Sequence, residues 1–341
     1  MNKAELVFKA IDVFGEAPQN AVHYPGIVRV QNIPYADTSE KFTIGDLYFK
    51  RTILNDGKLH PVLLYIHGGG FIKGDKDYRV TNSEFYAYHG YFVYNIDYRM
   101  PPEVPLTDNF ADIINAINFI PELAKTYNID PKKVVVSGDS SGAFQTAMLA
   151  ASAFDDELRQ ALSLPEVTCK PAALALMCGI YDLEQLLQGP RLFGVIPETA
   201  SLMMGFKVKN DMSNINDYEY IRYICPVHLV NPDWCPTFIT WAEEDIICVG
   251  QGPSMAKALE DNNIRMEKFY VKGLIRNHCY HLMINLPSSK ECMNRCVKFL
   301  NEVLDNDDPE KDEIVINEKM NNVEPEEESA EEETKTEGGE E

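Results

Sequence analysis

The chain has 341 residues, 45% of them hydrophobic, which is enough apolar content to build one large α/β domain or two small ones. Its formal net charge of −22 is concentrated at one end: residues 305–341 hold 17 Asp and Glu against three Lys, a charge of −14, leaving −8 on residues 1–304. A moderately acidic body speaks against nucleic-acid binding, which needs a basic surface.

The first stretch, "MNKAELVFKAIDVFGEAPQN", carries charges inside its only apolar run and has no small-residue cleavage site, so it does not read as a signal peptide. No run approaches the ~18 apolar residues of a membrane helix. The cysteines at 169, 178, 225, 235, 248, 279, 292 and 296 form no C-x-x-C pair and no His/Cys spacing of a zinc site. The expectation is a cytoplasmic protein with reduced thiols and no bound metal.

Residues 1–45 precede the sheet and fit no strand–helix alternation. Beyond them, "VLLYIH" (62–67), "YFVYNID" (91–97), "KVVVSG" (133–138), "ALALMCG" (173–179), "TFITWA" (237–242) and "RMEKFYV" (265–271) read as strands. Several are continuous enough in apolar residues to be buried on both faces, as strands of a parallel sheet are. Phe110, Ile113, Ile114, Ile117 and Ile120 recur at helical spacing. The small-residue run "SSGAFQTAMLAASAF" from 140 reads as a helix able to approach a sheet closely. Ser288-Ser289-Lys290-Glu291 after Pro287 predicts a capping box at the start of the last helix. Residues 183–232 scatter Leu186, Leu187, Phe193, Met203, Met204 and Phe206 between strands, as either an inserted segment covering a site or additional core would. The tail 305–341 cannot bury enough apolar surface to order itself. The expected layout is therefore an N-terminal segment 1–45 joining a cap, a catalytic domain 46–304 with the cap insertion at 183–232, and the tail.

Within "VVVSGDSSGAF" (134–144), Gly138-Asp139-Ser140-Ser141-Gly142 is a G-x-S-x-G placed between a buried strand and a small-residue helix. A serine there sits on a sharp, strained turn with its hydroxyl above the sheet, and the residues two before and two after must be small. Gly138 and Gly142 meet that demand. A nucleophile attacking a carbonyl also needs donors for the oxyanion that forms. His67-Gly68-Gly69-Gly70-Phe71, ending an upstream strand, offers consecutive glycine N–H groups for that role, with His67 bracing the loop. The phosphate-binding patterns G-x-x-x-x-G-K-[ST] and G-x-G-x-x-G are both absent.

Together "HGGGF", "NIDYRMPPEVP" (95–105) and "GDSSG" resemble the hormone-sensitive-lipase-like branch of the α/β-hydrolase fold, which shows H-G-G-G, Y-R-x-x-P-E and G-D-S-A-G in this order. The resemblance covers about residues 60 to 300. Ser141 replaces the usual alanine and Pro101 stands where alanine is common; position 141 acts through its backbone N–H, so no catalytic group is lost. The resemblance implies a mostly parallel central sheet flanked by helices, with a cap. It also implies a Ser…Asp…His order, which places the acid at Asp245 in Ala242-Glu243-Glu244-Asp245 and the base after "RMEKFYV". Of His278 and His281, the family's aromatic two residues beyond its histidine matches His278-Cys279-Tyr280, while His281 opens the apolar run "HLMINL", where a packed or capping role is expected. Glu243 and Glu244 read as solvated or structural, and His23, His60, His89 and His228 as structural or surface residues. The implied activity is hydrolysis of small to medium acyl esters through Ser140, His278 and Asp245. The oxyanion would sit on the N–H groups of Gly69, Gly70 and Ser141, and the partner is a small-molecule ester, with no cofactor. Hydrolysis of an amide or peptide, and a catalytically silent binding protein on the same fold, remain open alternatives.

Overall fold

The structure, a computed structural model, describes residues 2–36, 42–188, 194–273 and 277–310, with side chains 11–15, 184, 187 and 188 left aside. Its elements run α1 (Lys3–Gln19), β1 (Ile27–Pro34), β2 (Ile44–Lys50), β3 (His60–Ile66), α2 (Val80–Tyr88), β4 (Phe92–Ile96), α3 (Leu106–Asn118), α4 (Ile120–Leu123), β5 (Ile129–Asp139) and α5 (Ser141–Phe154). They continue with α6 (Asp156–Ala161), β6 (Ala173–Met177), α7 (Leu183–Gln188), α8 (Val195–Met204), β7 (Thr237–Ala242), α9 (Gln251–Asp261), β8 (Met266–Val271) and α10 (Pro287–Leu304). The strands form one sheet in the order β1-β2-β4-β3-β5-β6-β7-β8. β1 and β2 pair antiparallel with their neighbours, and β4 through β8 are mutually parallel.

Alternate residues of the central strands feed two cores. Leu64 and Val136 join Ile113 of α3 and Ala147 of α5 on one face, while Leu63 and Val135 join Tyr86 of α2 and Val297 of α10 on the other. Burial on both faces is why these strands read as continuous apolar runs. All six strands expected from the sequence are present.

Three expectations are corrected. The sheet does not begin after residue 45: β2 starts at Ile44, and β1 lies wholly within 1–45. β1 is half-exposed along an edge and interrupted by Arg29, Gln31 and Asn32, and β2 carries Asp46 in its interior, so neither shows an apolar run. Asp46 is tolerated there because Arg29 Nε on β1 donates to its Oδ2 at 2.8 Å. The capping box at Ser288–Glu291 does not form: Leu286 is the cap, α10 starts at Pro287, two residues earlier than the box implies, and Ser289 Oγ donates to the Tyr280 carbonyl at 2.7 Å. The tail does not detach at 305. Asp308 is buried against His89 at 3.0 Å, Lys133 Nζ donates to the Asp305 carbonyl, and Glu310 pairs with Lys50. Residues 311–341 lie outside the described residues.

Among the described residues of the N-terminal segment, α1 lies beside α8 of the 183–232 segment, where the Ala4 N–H donates to Glu198 Oε2 at 2.9 Å. No helix among the described residues is long and apolar enough to cross a membrane.

Candidate active site

Ser140 closes β5 with φ 54° and ψ −121°, a strained conformation for a residue with a side chain that persists only where the surroundings over-determine it. They do so here. The Ser140 N–H donates to the Met177 carbonyl on β6 at 2.9 Å. A Cβ on Gly138 would lie 2.3 Å from the Gly142 carbonyl oxygen, and one on Gly142 would lie 2.1 Å from that of Ile66. Strand and helix meet backbone to backbone, so both glycines are required by space.

The neighbouring Asp139 is fully buried and accepts two hydrogen bonds from Arg79, Nε to Oδ1 at 2.7 Å and Nη2 to Oδ2 at 2.6 Å. Burial pushes the Asp139 carboxyl up, but the guanidinium outweighs it and holds the group below the usual carboxylate range. Nothing local in the sequence marks Arg79, 60 residues away.

His278 links the other two expected residues. Its Nε2 lies 2.9 Å from Ser140 Oγ and its Nδ1 lies 2.7 Å from Asp245 Oδ2. Asp245, in the turn after β7, is fixed by the N–H groups of Ile247 and Cys248, both 2.8 Å from Oδ1. Burial works against its charge, yet His278 and these donors hold its carboxyl below the usual value. Burial likewise disfavours a charged His278; nearby Cys279 and Cys248 and the Asp245 carboxylate favour it, and the balance raises its pKa well above the ordinary 6.5. Cys248, Asp245 and His278 each present a ligand-type atom within 4.8 Å of the others. Both imidazole nitrogens are already engaged, however, which suits moving a proton between oxygen atoms better than holding an ion.

His281 stands apart from this chain. It is fully buried, its Nδ1 faces Cys178 Sγ at 3.9 Å, and burial lowers its pKa to about 3. It is a packed, neutral histidine. Tyr280 is buried with its hydroxyl 2.5 Å from Thr240 Oγ1, anchoring the loop that carries His278. Glu243 and Glu244 are both exposed, and Glu244 Oε2 accepts the Gly273 N–H at 2.7 Å.

The glycine loop lies beside Ser140. Gly69 has φ +139°, and a Cβ there would strike the Lys73 carbonyl at 1.7 Å, so only glycine fits. Among the described residues no backbone carbonyl takes the N–H of Gly69 or Gly70. Ser141 opens α5, where the first N–H groups have no intrahelical partner. These three N–H groups are thus without a backbone acceptor among the described residues. His67 braces the loop from below: its Nδ1 lies 2.8 Å from the Gly68 carbonyl oxygen, and its ring stacks on Tyr98, whose hydroxyl donates to the His67 carbonyl at 2.6 Å.

Two cavities meet at Ser140, sharing Phe8, Gly70 and Ile247 as walls. One is narrow, apolar and bounded by Phe71, Leu183, Leu186, Ile196, Met203 and Met204. The other is wider, continuous with solvent, and presents Gln19, Tyr78, Arg79 and Asn277. Of the residues singled out in 183–232, Leu186, Met203 and Met204 line the apolar cavity. Phe206 does not; its ring packs on Tyr218 at 6.4 Å. Phe193 and the Leu187 side chain lie outside the described residues. Phe8, projecting from α1 over Gly70, has no motif that could have announced it.

The BD-FAE family profile matches residues 46–259. Lipase 2 of Moraxella sp. (strain TA144) is 26% identical over 262 residues, covering 70% of this chain and 58% of that protein, so the chain spans little more than half the length of this relative. Esterase B from Lactobacillus rhamnosis superposes with a TM-score of 0.77 at 18% identity, over 92% of this chain and 97% of that one. The same protein inhibited by a C4-C4 SN3 tributyrin phosphonate gives 0.74 at 18% identity, over 93% and 99%. At such identities the likeness is one of fold.

Proposed function

The chain belongs to the BD-FAE family and has the α/β-hydrolase fold, as its HGGGF, DYRMPPE and GDSSG motifs implied, and on that premise we propose that it is a serine hydrolase of carboxylic esters. The observation that carries the reading is the continuous hydrogen-bonded chain Ser140–His278–Asp245 opening on a cavity.

In this reading His278 Nε2 takes the Ser140 proton as Oγ bonds to the substrate carbonyl carbon. The imidazolium so formed is stabilised by Asp245, which stays ionised. The carbonyl oxygen becomes an oxyanion held by the N–H groups of Gly69, Gly70 and Ser141; one such donor is worth about 2.7–4 kcal/mol in the transition state. Collapse breaks the ester C–O bond, and His278 returns its proton to the departing alcohol. Water, deprotonated by the same imidazole, then releases the acid from the acyl-enzyme.

The acyl chain occupies the narrow apolar cavity and the alcohol the wider one that opens to solvent. A narrow apolar cavity closed by two methionines suits small to medium acyl groups. The tributyrin phosphonate carried by Esterase B supports the same range. α1, α7 and α8 form the cap over this cavity. The test is a panel of p-nitrophenyl esters from acetate to palmitate. Turnover that is highest among the short and medium esters and lost in Ser140→Ala is expected; equal turnover by Ser140→Ala would overturn the assignment.

A further inference from the structure

Away from Ser140, the fold assembles a second set of ligand-type side chains that the proposed chemistry does not use. Asp182, Cys225 and His228 each present one carboxylate, thiol or imidazole atom, all within 4.8 Å of one another, and none of the three lines either cavity. We propose that Asp182, Cys225 and His228 form a binding site for a single zinc-type divalent ion.

Both halves of the site are held in place by the backbone. Gln251, fully buried, accepts the N–H groups of Tyr181 and Asp182 on Oε1, each at 2.7 Å, and donates Nε2 to the Asp182 carbonyl at 2.9 Å. The short 3-10 turn Pro226–His228 is tied to the same strand end by the Val227 N–H, which donates to the Tyr181 carbonyl at 3.0 Å. Cys225 and His228 therefore flank one turn and face Asp182 across a fixed gap, the kind of preorganisation a metal site requires. The C-x-x-H spacing alone gives two ligands. The third comes from 43 residues upstream, which is why sequence spacing does not disclose the set.

The Cys225 thiol donates to the Tyr181 carbonyl at 3.7 Å and to Asp182 Oδ1 at 4.0 Å, bonds that end when the thiol gives up its proton to bind an ion. Asp182 Oδ1 accepts the Gln185 N–H at 2.9 Å, whereas Oδ2 accepts no hydrogen bond among the described residues. The His228 ring has no hydrogen-bond partner among them either, in contrast to His278, whose two nitrogens are both engaged. His228 is exposed and Cys225 buried, so an ion would enter from solvent past the imidazole and reach the sulfur.

One oxygen, one sulfur and one nitrogen donor make a borderline-soft set that suits zinc better than calcium or magnesium. Around a tetrahedral zinc such atoms sit about 3.5 Å apart. The widest gap must therefore close by about 1 Å, a movement the exposed His228 side chain can supply. Binding replaces the Cys225 S–H proton, which leaves to solvent, so affinity rises with pH. With one thiolate and one carboxylate the site neutralises the ion, and water takes the fourth position. The ion would clip the 225–228 turn to the start of α7, whose Leu183 and Leu186 wall the apolar cavity.

Cobalt(II), which reports thiolate ligation by absorption in the near ultraviolet and visible, is the probe. Titrated into metal-free full-length protein, it should saturate at one equivalent with a thiolate-to-cobalt band that zinc then displaces. His228→Ala, a surface change that spares the core, should abolish the band, as should Cys225→Ser. Cys248→Ser, which alters the cluster around Asp245 and His278, should leave it intact. No band, a band that survives His228→Ala, or one lost in Cys248→Ser would overturn the proposal.

Discussion

Replacing Arg79 with methionine strands the Asp139 carboxylate one residue before Ser140, and the structure sets the size and pH dependence of the damage. Asp139 is fully buried and receives both of its charge-assisted hydrogen bonds from Arg79. Breaking a buried ion pair from one side costs about 3–5 kcal/mol, because the remaining charge is neither solvated nor paired. Against a typical total stability of about 5–15 kcal/mol, that loss is easily measured. The sign with pH follows from the carboxyl. In the native protein Arg79 holds its pKa below the unfolded value, so its stabilisation is present above about pH 4 and is lost as the pH falls. In Arg79→Met burial acts alone and raises the pKa. The variant's deficit should then be small near pH 4 and grow as the pH climbs. Urea unfolding of both proteins at pH 5 and pH 8 reads this directly, with the larger gap at pH 8. Adding Asp139→Asn to Arg79→Met removes the stranded charge and should recover stability at pH 8. A loss below about 1 kcal/mol at both pH values would refute the reasoning.

His278→Ala should lower ester turnover by orders of magnitude, as loss of a triad member does. His281→Ala should keep most turnover in its folded fraction while costing about 2–5 kcal/mol of stability by opening a cavity in the core. Because catalysis needs neutral His278, kcat/KM should rise with pH through a midpoint above 6.5. Asp245→Asn should move that midpoint down while reducing kcat about 10⁴-fold, and an unmoved midpoint would separate Asp245 from the imidazole. Met203→Ala with Met204→Ala should shift preference toward longer acyl chains more than it changes acetate turnover, and an unchanged ester profile would place both in the ordinary core. Deleting residues 311–341 should leave the thermal midpoint unchanged, whereas deleting 305–341 should cost about 1–3 kcal/mol by stranding buried His89 without Asp308.

How much was legible in the sequence follows from how locally each feature is encoded. Strands buried on both faces write themselves as apolar runs, so "VLLYIH" and "KVVVSG" were readable. β1 and β2 were not, because β1 is a half-exposed edge strand that carries polar residues and because Asp46 becomes tolerable only once Arg29 pairs with it across the sheet. The G-x-S-x-G turn was readable because backbone contact between strand and helix excludes side chains at two fixed positions. Asp245 and His278 were reached through the resemblance, in the order that the fold imposes on the strand ends. Arg79 and Phe8 were beyond reach, since their partners Asp139 and Gly70 lie some 60 residues away in sequence. The misplaced capping box shows the limit of local patterns: α10 begins at Pro287, so Ser288 falls inside the first turn and cannot cap it.

The account stands on Ser140 being a nucleophile activated by His278, and covalent capture tests this most directly. Full-length protein treated with an alkyl fluorophosphonate should gain the mass of one adduct. The adduct should map to the peptide containing Ser140, form far more slowly in His278→Ala, and be absent in Ser140→Ala. Folded protein that remains unlabelled at Ser140, or Ser140→Ala that labels at the native rate, would contradict it.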